Sequence, residues 1–207
     1  MIVELPPLPH PLTDAPETSF TLSSSYYTDP GLFELEKEKI FYRSWQYVAP
    51  CQSFAAPGDY VVVDICGQSV FVILGDDLQL RAFYNVCRHR AHELLQGQGN
   101  VASAIVCPYH AWSYGLDGNL LRGPNTEVIP TEIRERICLT PVRTQEFCGF
   151  VFVNLNDQAE PMETWFPQVE AQLRTFVPDI DQLKPVETIL VNEKCNWKVS
   201  VENYSEC

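Results

Sequence analysis

The chain has 207 residues, of which 45% are hydrophobic and 20% charged; that is enough apolar material for one domain of ordinary size with additional segments. The formal net charge of −13 and a pI near 4.6 argue against nucleic acid or an anionic membrane surface as a partner. No run of eighteen apolar residues is present, so no transmembrane helix is expected.

Residues 1–18 are rich in Pro and short polar residues and read as an extended arm. The opening Met1-Ile2-Val3-Glu4-Leu5-Pro6-Pro7 has neither a basic segment nor an apolar run, so no signal peptide is expected. Asp29-Pro30 predicts a helix cap followed by Pro at the first helical position. Leu32, Phe33, Leu35, Ile40 and Phe41 continue with helical spacing, which predicts an amphipathic helix over 30–43. From Trp45 to Leu155 the texture is that of short β segments. Tyr60–Val63, Ser69–Ile73 and Leu80–Tyr84 are separated by turns at Gly67 and Gly75-Asp76. Tyr114–Leu120 reads as a hairpin around Asp117-Gly118, and Glu146–Val153 as one further β run. Residues 161–177 read as a helix whose stripe of Trp165, Phe166, Val169, Leu173 and Phe176 is expected to pack into the core. Residues 185–193 predict a strand, and 197–207 the opening of a further element. The expected organisation is an arm and helix over 1–44, a β domain over 45–160, and a connecting helix with the start of another domain over 161–207.

Chemistry concentrates in two short loops. Cys87-Arg88-His89 is followed, after seventeen residues, by Cys107-Pro108-Tyr109-His110. Each loop offers one thiolate and one imidazole. This pattern resembles the Rieske [2Fe–2S] signature, in which two Cys hold one iron and two His the other. Exchanging two thiolates for neutral imidazoles removes negative charge and makes reduction easier. Pro108 stiffens the second tip, while Gly97 and Gly99 lie in the intervening segment, where a turn needs permissive backbone. A structural zinc site uses the same donors, but usually as a Cys pair followed by a His pair. His92 follows the first loop and reads as a polar or packing residue, and His10 as exposed.

Eight Cys are present: Cys51, Cys66, Cys87, Cys107, Cys138, Cys148, Cys195 and Cys207. They read as two ligands and six free thiols, mostly buried, in a reducing cytoplasm. The acidity reads as a solubility device; a docking face for a basic redox partner is the sharper alternative.

Two families share the cluster motif. In the Rieske proteins of respiratory and photosynthetic complexes each loop carries a further Cys, and the two form a disulfide. The matching positions here are His92 and Tyr109. Cys87-Arg88-His89-Arg90 and Cys107-Pro108-Tyr109-His110-Ala111-Trp112, continuing through Ser113 and Tyr114, instead resemble the α subunit of Rieske-type non-haem iron oxygenases. Asn196–Cys207 resembles the family segment that leads into the mononuclear iron site. The resemblance implies a mainly β fold: an all-β Rieske [2Fe–2S] domain with an N-terminal helical arm, plus the truncated start of an α+β catalytic domain.

It also implies that Cys87, His89, Cys107 and His110 hold the cluster. A mononuclear Fe(II), held by a 2-His-1-carboxylate triad outside this sequence, would activate O2. Glu206 matches the acid that bridges a cluster His to an iron-ligand His of the neighbouring subunit. A Glu there, after Val201-Glu202-Asn203 and before Cys207, looks like the branch acting on quaternary ammonium compounds such as carnitine and glycine betaine. The plainer reading of Glu206 is a solvated helix residue. Expected partners are a reductase carrying flavin and a plant-type iron–sulfur centre, a head-to-tail homotrimer, and a small-molecule substrate. The alternatives are an aromatic-ring-hydroxylating dioxygenase subunit, a stand-alone Rieske ferredoxin and a zinc-stabilised interaction module.

Overall fold

A computed structural model describes residues 21–205. They divide into two units, 41–186 on the one hand and 21–40 with 187–205 on the other. The expected arm over 1–18, Glu206 and Cys207 lie outside the described residues.

The larger unit is built on ten strands: β1 Gln46–Pro50, β2 Asp59–Ile65, β3 Gln68–Leu74, β4 Leu80–Tyr84, β5 Gln98–Asn100, β6 Ile105–Val106, β7 Ser113–Tyr114, β8 Leu120–Arg122, β9 Pro141–Phe147 and β10 Phe150–Asn154. Seven of them form one antiparallel sheet in the order β1-β10-β9-β4-β3-β2-β5, and β6-β7-β8 form a smaller one. β3 is an inner strand, between β4 and β2, and its composition explains why. Val70, Val72 and Leu74 point into one core with Val48, Val151 and Val153. The alternate residues Phe71 and Ile73 enter a second core with Phe83, Leu95, Ile105 and Leu139. A strand covered on both faces reads as a continuous apolar run. Each such side chain contributes roughly 1.5–3 kcal/mol on burial, so Phe71→Ala is the kind of change that would open the second core, at about 3–5 kcal/mol.

β2 and β3 are joined by a two-residue turn, Cys66-Gly67, both residues having positive φ (51° and 91°). The run over 146–153 is not one strand. Cys148 and Gly149 also have positive φ (51° and 78°) and fold it into a second tight hairpin, pairing Phe147 with Phe150. The expected hairpin at Asp117-Gly118 is present, with Tyr114 opposite Leu120. Gly118 (φ 85°) sits against Phe83, and a Cβ there would fall 2.5 Å from its ring.

The remaining elements depart from expectation in three places, two of them helical. Asp29 does cap the first main helix, accepting from the Leu32 amide at 2.9 Å, with Pro30 in its first turn. With Ser25–Thr28 taken as α1, this helix is α2, Pro30–Glu36; it loosens into a π turn over Lys37–Phe41. The helix expected over 161–177 is broken into α4, Met162–Trp165, and α5, Val169–Phe176, after the short α3, Thr131–Arg134. Pro167 explains the break, because it drives Phe166 out of helical geometry (φ −130°, ψ 62°). Only Val169 and Leu173 of the expected stripe pack inward, against Phe147, Met162 and Ile180. Trp165, Phe166 and Phe176 are exposed. No strand forms over 185–193: Val186, Ile189, Leu190 and Val191 are exposed and unpaired with any strand among the described residues. The last element, α6, is Trp197–Ser205.

The thiols outside the site are less buried than expected. Cys148 is buried, Cys51 and Cys66 are half-buried, and Cys138 and Cys195 are exposed.

Candidate metal centre

The first loop leaves β4, and the second joins β6 to β7. The two are folded alike. The Cys87 amide donates to the His92 carbonyl (2.8 Å) and the Ala91 amide returns to the Cys87 carbonyl (3.0 Å). In the second loop the Cys107 amide donates to the Trp112 carbonyl (2.8 Å) and the Ala111 amide to the Cys107 carbonyl (3.0 Å). Ala91 and Ala111 both adopt φ 55°, a left-handed position where a small side chain limits the penalty. Each loop thus wraps its amides around its own cysteine, although the histidine stands two residues after the first Cys and three after the second.

The loops bring all four expected residues to one place. Cys87 and Cys107 are each 2% exposed and belong to the same core. The rings of His89 and His110 are 4.9 Å apart, with planes at 74°. The Nδ1 atoms of both rings are buried and have no hydrogen-bond partner. A buried imidazole nitrogen normally finds a partner, so two side by side mark a place for a metal. Burial, helped by the positive fields of His89, Arg90 and His92, holds His110 below its ordinary pKa, which favours the neutral form that ligates.

In a two-iron cluster each iron asks the protein for two donors, and two cysteines and two histidines are what the two loops offer. The donor set fits a [2Fe–2S] group.

Surrounding side chains fix these donors. Tyr114, fully buried, has its hydroxyl 3.2 Å from Cys87 Sγ and 3.0 Å from the Arg88 amide, which donates to it. Burial first, and then the bond to Cys87, push this phenol well above its ordinary pKa, so it stays protonated and able to donate to a thiolate. Trp112 stacks on His89, with centroids 4.9 Å apart and planes within 9°. Asn85, 1% exposed, accepts from the Leu94 and Leu95 amides (3.1 and 3.0 Å) and donates to the Leu95 carbonyl (2.8 Å), closing the first loop at its base. Nothing in the sequence marks Asn85 for this task. Tyr114 was legible only as a motif letter. His92 behaves as a polar loop residue, its Nδ1 2.6 Å from the Glu93 carbonyl oxygen. Arg88 and Arg90 are exposed on the first loop, and neither loop carries an acid between Cys and Ala, so the chain's acidity lies elsewhere. Glu206 is outside the described residues and is not placed.

The family model of the Rieske [2Fe–2S] domain matches residues 44–133. Over 200 residues, 97% of this chain and 54% of the relative, the chain is 40% identical to the carnitine monooxygenase oxygenase subunit of Escherichia coli K12. The chain carries a Rieske [2Fe–2S] domain. The glycine betaine monooxygenase oxygenase subunit of Pseudomonas aeruginosa UCBPP-PA14 is 31% identical over 189 residues, covering 91% of this chain and 43% of the relative. A solved quaternary ammonium Rieske monooxygenase, studied for carnitine oxidation by gut microbiota and inter-subunit electron transfer, superposes with a TM-score of 0.85 at 40% identity, over 89% of this chain and 50% of that one. The chain therefore spans about half the length of the curated relatives it matches. No helix among the described residues is long and apolar enough to cross a membrane.

Proposed function

We propose that this chain is the electron-relaying part of an oxygenase terminal component that hydroxylates a quaternary ammonium compound. The observation that carries the reading is the pair of unpartnered, buried Nδ1 atoms of His89 and His110 beside two buried cysteines. Cys87 and Cys107 would hold the inner iron as thiolates, and His89 and His110 the outer iron through Nδ1. When bound, the [2Fe–2S] group supplies a one-electron store at roughly −150 to +300 mV. The remaining work belongs to the protein. Tyr114 donates to Cys87, Trp112 keeps the His89 ring in one orientation and shields it from water, and Asn85 holds the loop base. The far nitrogens of the two imidazoles stay free to donate to an outer carboxylate, and Glu206 is our candidate for it.

Electrons would come from a reductase with flavin and a plant-type iron–sulfur centre. They would leave for a mononuclear Fe(II) held by residues outside these 207, in a homotrimer of the cytoplasm. Hydroxylation of an N-methyl or adjacent carbon, consuming O2, two electrons and two protons, would give water and a carbinol; an N-methyl carbinol would collapse to a tertiary amine, formaldehyde and a proton. The names of the relatives support a carnitine- or betaine-like substrate.

The test is direct. Protein reconstituted anaerobically should hold about two irons and two sulfides and give a Rieske-type paramagnetic signal on reduction. Cys87→Ala or His110→Ala should abolish it. Stoichiometric zinc without iron, from iron-replete cells, would sink the assignment. A holoenzyme that converts arenes to diols, and hydroxylates no quaternary ammonium compound, would move the reading to the aromatic-ring dioxygenases.

A further inference from the structure

The two ends of the described chain meet in one unit, and a single buried carboxylate joins them. Glu36 is the last residue of α2, and its side chain is only 10% exposed. One oxygen accepts from Trp197 Nε1 at 2.8 Å; the other accepts from Lys198 Nζ at 2.5 Å. Trp197 and Lys198 are the first two residues of α6. Asn196 caps the same end, accepting from the Lys198 amide at 3.1 Å. One turn further on, Tyr27 of α1 donates to Glu202 at 2.6 Å, and Lys198 Nζ lies 5.6 Å from the Tyr27 ring centroid.

These polar contacts tie the start of α6 to α1 and α2. No residue of α6 is fully buried. At nine residues it is shorter than the roughly 12–15 at which an isolated helix becomes even marginal in water. A buried, doubly hydrogen-bonded carboxylate at its first turn therefore sets its direction. At about 1.5 Å per residue, α6 is about 13 Å long, so a tilt of about 10° at the clamp moves its far end by about 2 Å. The residue next in sequence after the helix is Glu206.

We infer that Glu36 is a positioning residue: it fixes the direction of α6, and through it the reach of the acid that follows, for electron transfer. This rests on the reading of Glu206 as a bridge given above. Displacements near 1 Å at reacting groups can cost on the order of a hundredfold, so the clamp has leverage on rate without touching the cluster.

The experiment uses the holoenzyme and two readouts. Glu36→Gln retains a hydrogen bond to Trp197 but loses the charge that holds Lys198. Amide exchange over 199–205 should quicken by about tenfold or more, and single-turnover re-oxidation of the pre-reduced protein should slow by about tenfold, within the roughly 10–100-fold range of outer-shell losses. The cluster spectrum and potential should not move. Reversing the pair, Glu36→Lys with Lys198→Glu, should recover most of both. Tyr27→Phe serves as a milder variant should Glu36→Gln not fold, with smaller shifts in the same directions. Unchanged exchange and unchanged re-oxidation, while Glu206→Gln does slow re-oxidation, would overturn the role of Glu36 alone. A normal rate in Glu206→Gln would remove the bridge reading, and the positioning role falls with it.

Discussion

His92 and Tyr109 face each other across the two ligand loops, with ring centroids 5.4 Å apart and planes tilted by 39°. These are the positions at which the respiratory Rieske proteins, by the sequence resemblance, carry a disulfide. An aromatic pair contributes roughly 0.5–1.5 kcal/mol, against roughly 2–4 for a disulfide. The loops are therefore joined by a weak clasp, which Tyr109 extends by packing 3.8 Å from the His110 ring.

Tyr109→Ala should leave the fold intact, because Tyr109 is exposed, but should loosen the second loop. A loss of about 1 kcal/mol corresponds to about a fivefold change in an equilibrium. We expect visible absorbance to decay several-fold faster in the presence of a chelator, with thermal unfolding nearly unchanged. Equal decay rates would mean that the clasp does not hold the loops.

Tyr114→Phe removes the hydroxyl 3.2 Å from Cys87 Sγ. A donor to a ligand thiolate stabilises the reduced, more negative state more than the oxidised one. Its loss should lower the midpoint potential, by roughly 30–60 mV if about 1 kcal/mol of a charged hydrogen bond is redox-dependent. The burial that keeps this phenol above its ordinary pKa adds a control: the wild-type potential should show no Tyr114 step up to pH 10. A protein-film titration of both forms decides it.

Gly123 lies against the indole of Trp112, where a Cβ would fall 2.3 Å from Cδ1. Gly123→Ala should push Trp112 off the His89 ring and cost roughly 1–3 kcal/mol, as overpacking does. The expected result is a lower melting temperature together with an altered His89 environment in the paramagnetic spectrum. Gly67→Ala is the contrast: its Cβ would meet nothing within 4 Å, so it should cost only the strain of its positive φ and leave the spectrum alone.

The thiol of Cys51 is pushed up to about 11, mainly by burial and then by the charge of Glu146 beside it. A raised pKa means less thiolate at any pH below it. At pH 8 about 0.1% is thiolate, against about 20% for an ordinary thiol. Cys51 should therefore react with iodoacetamide at pH 8 about a hundredfold more slowly than free glutathione, read by peptide mass mapping. Comparable labelling would show that the Cys51 site opens readily.

What could be read from sequence followed the strength of local signals. β2, β3 and β4 were legible because short runs of β-branched, aromatic and other apolar residues are bounded by turn signals at Gly67 and Gly75-Asp76. The two ligand loops were legible because their spacing is chemistry, not packing. The hairpin at Cys148-Gly149 was missed because Cys148 carries no turn signal, and Gly149, with Phe147 and Phe150 close on either side, reads as a glycine within one strand. Pro167 was present to be read, but the apolar spacing around it suggested one helix. Val186, Ile189, Leu190 and Val191 have the composition of a strand, yet composition does not supply a partner strand. Asn85, Trp112 and the reach of Glu36 to α6 depend on contacts distant in sequence, which no local pattern records.

The last prediction concerns Glu206, whose bridging role is a proposal. A carboxylate accepting from a cluster imidazole and from an iron-ligand imidazole would orient both rings and give the electron a short bonded path. Glu206→Gln keeps the size but loses the charge and one acceptor. In the holoenzyme we expect full cluster colour and an almost unchanged potential, with turnover falling by about tenfold or more, in line with roughly 10–100-fold outer-shell losses. Glu206→Asp should keep part of the activity, because it retains the charge and changes only the reach. The deciding measurement is single-turnover oxidation of the pre-reduced protein with substrate and O2 present, since it separates transfer from reductase docking and product release. A wild-type rate in Glu206→Gln would take this residue out of the electron path and favour the plainer reading of it as an ordinary charged residue.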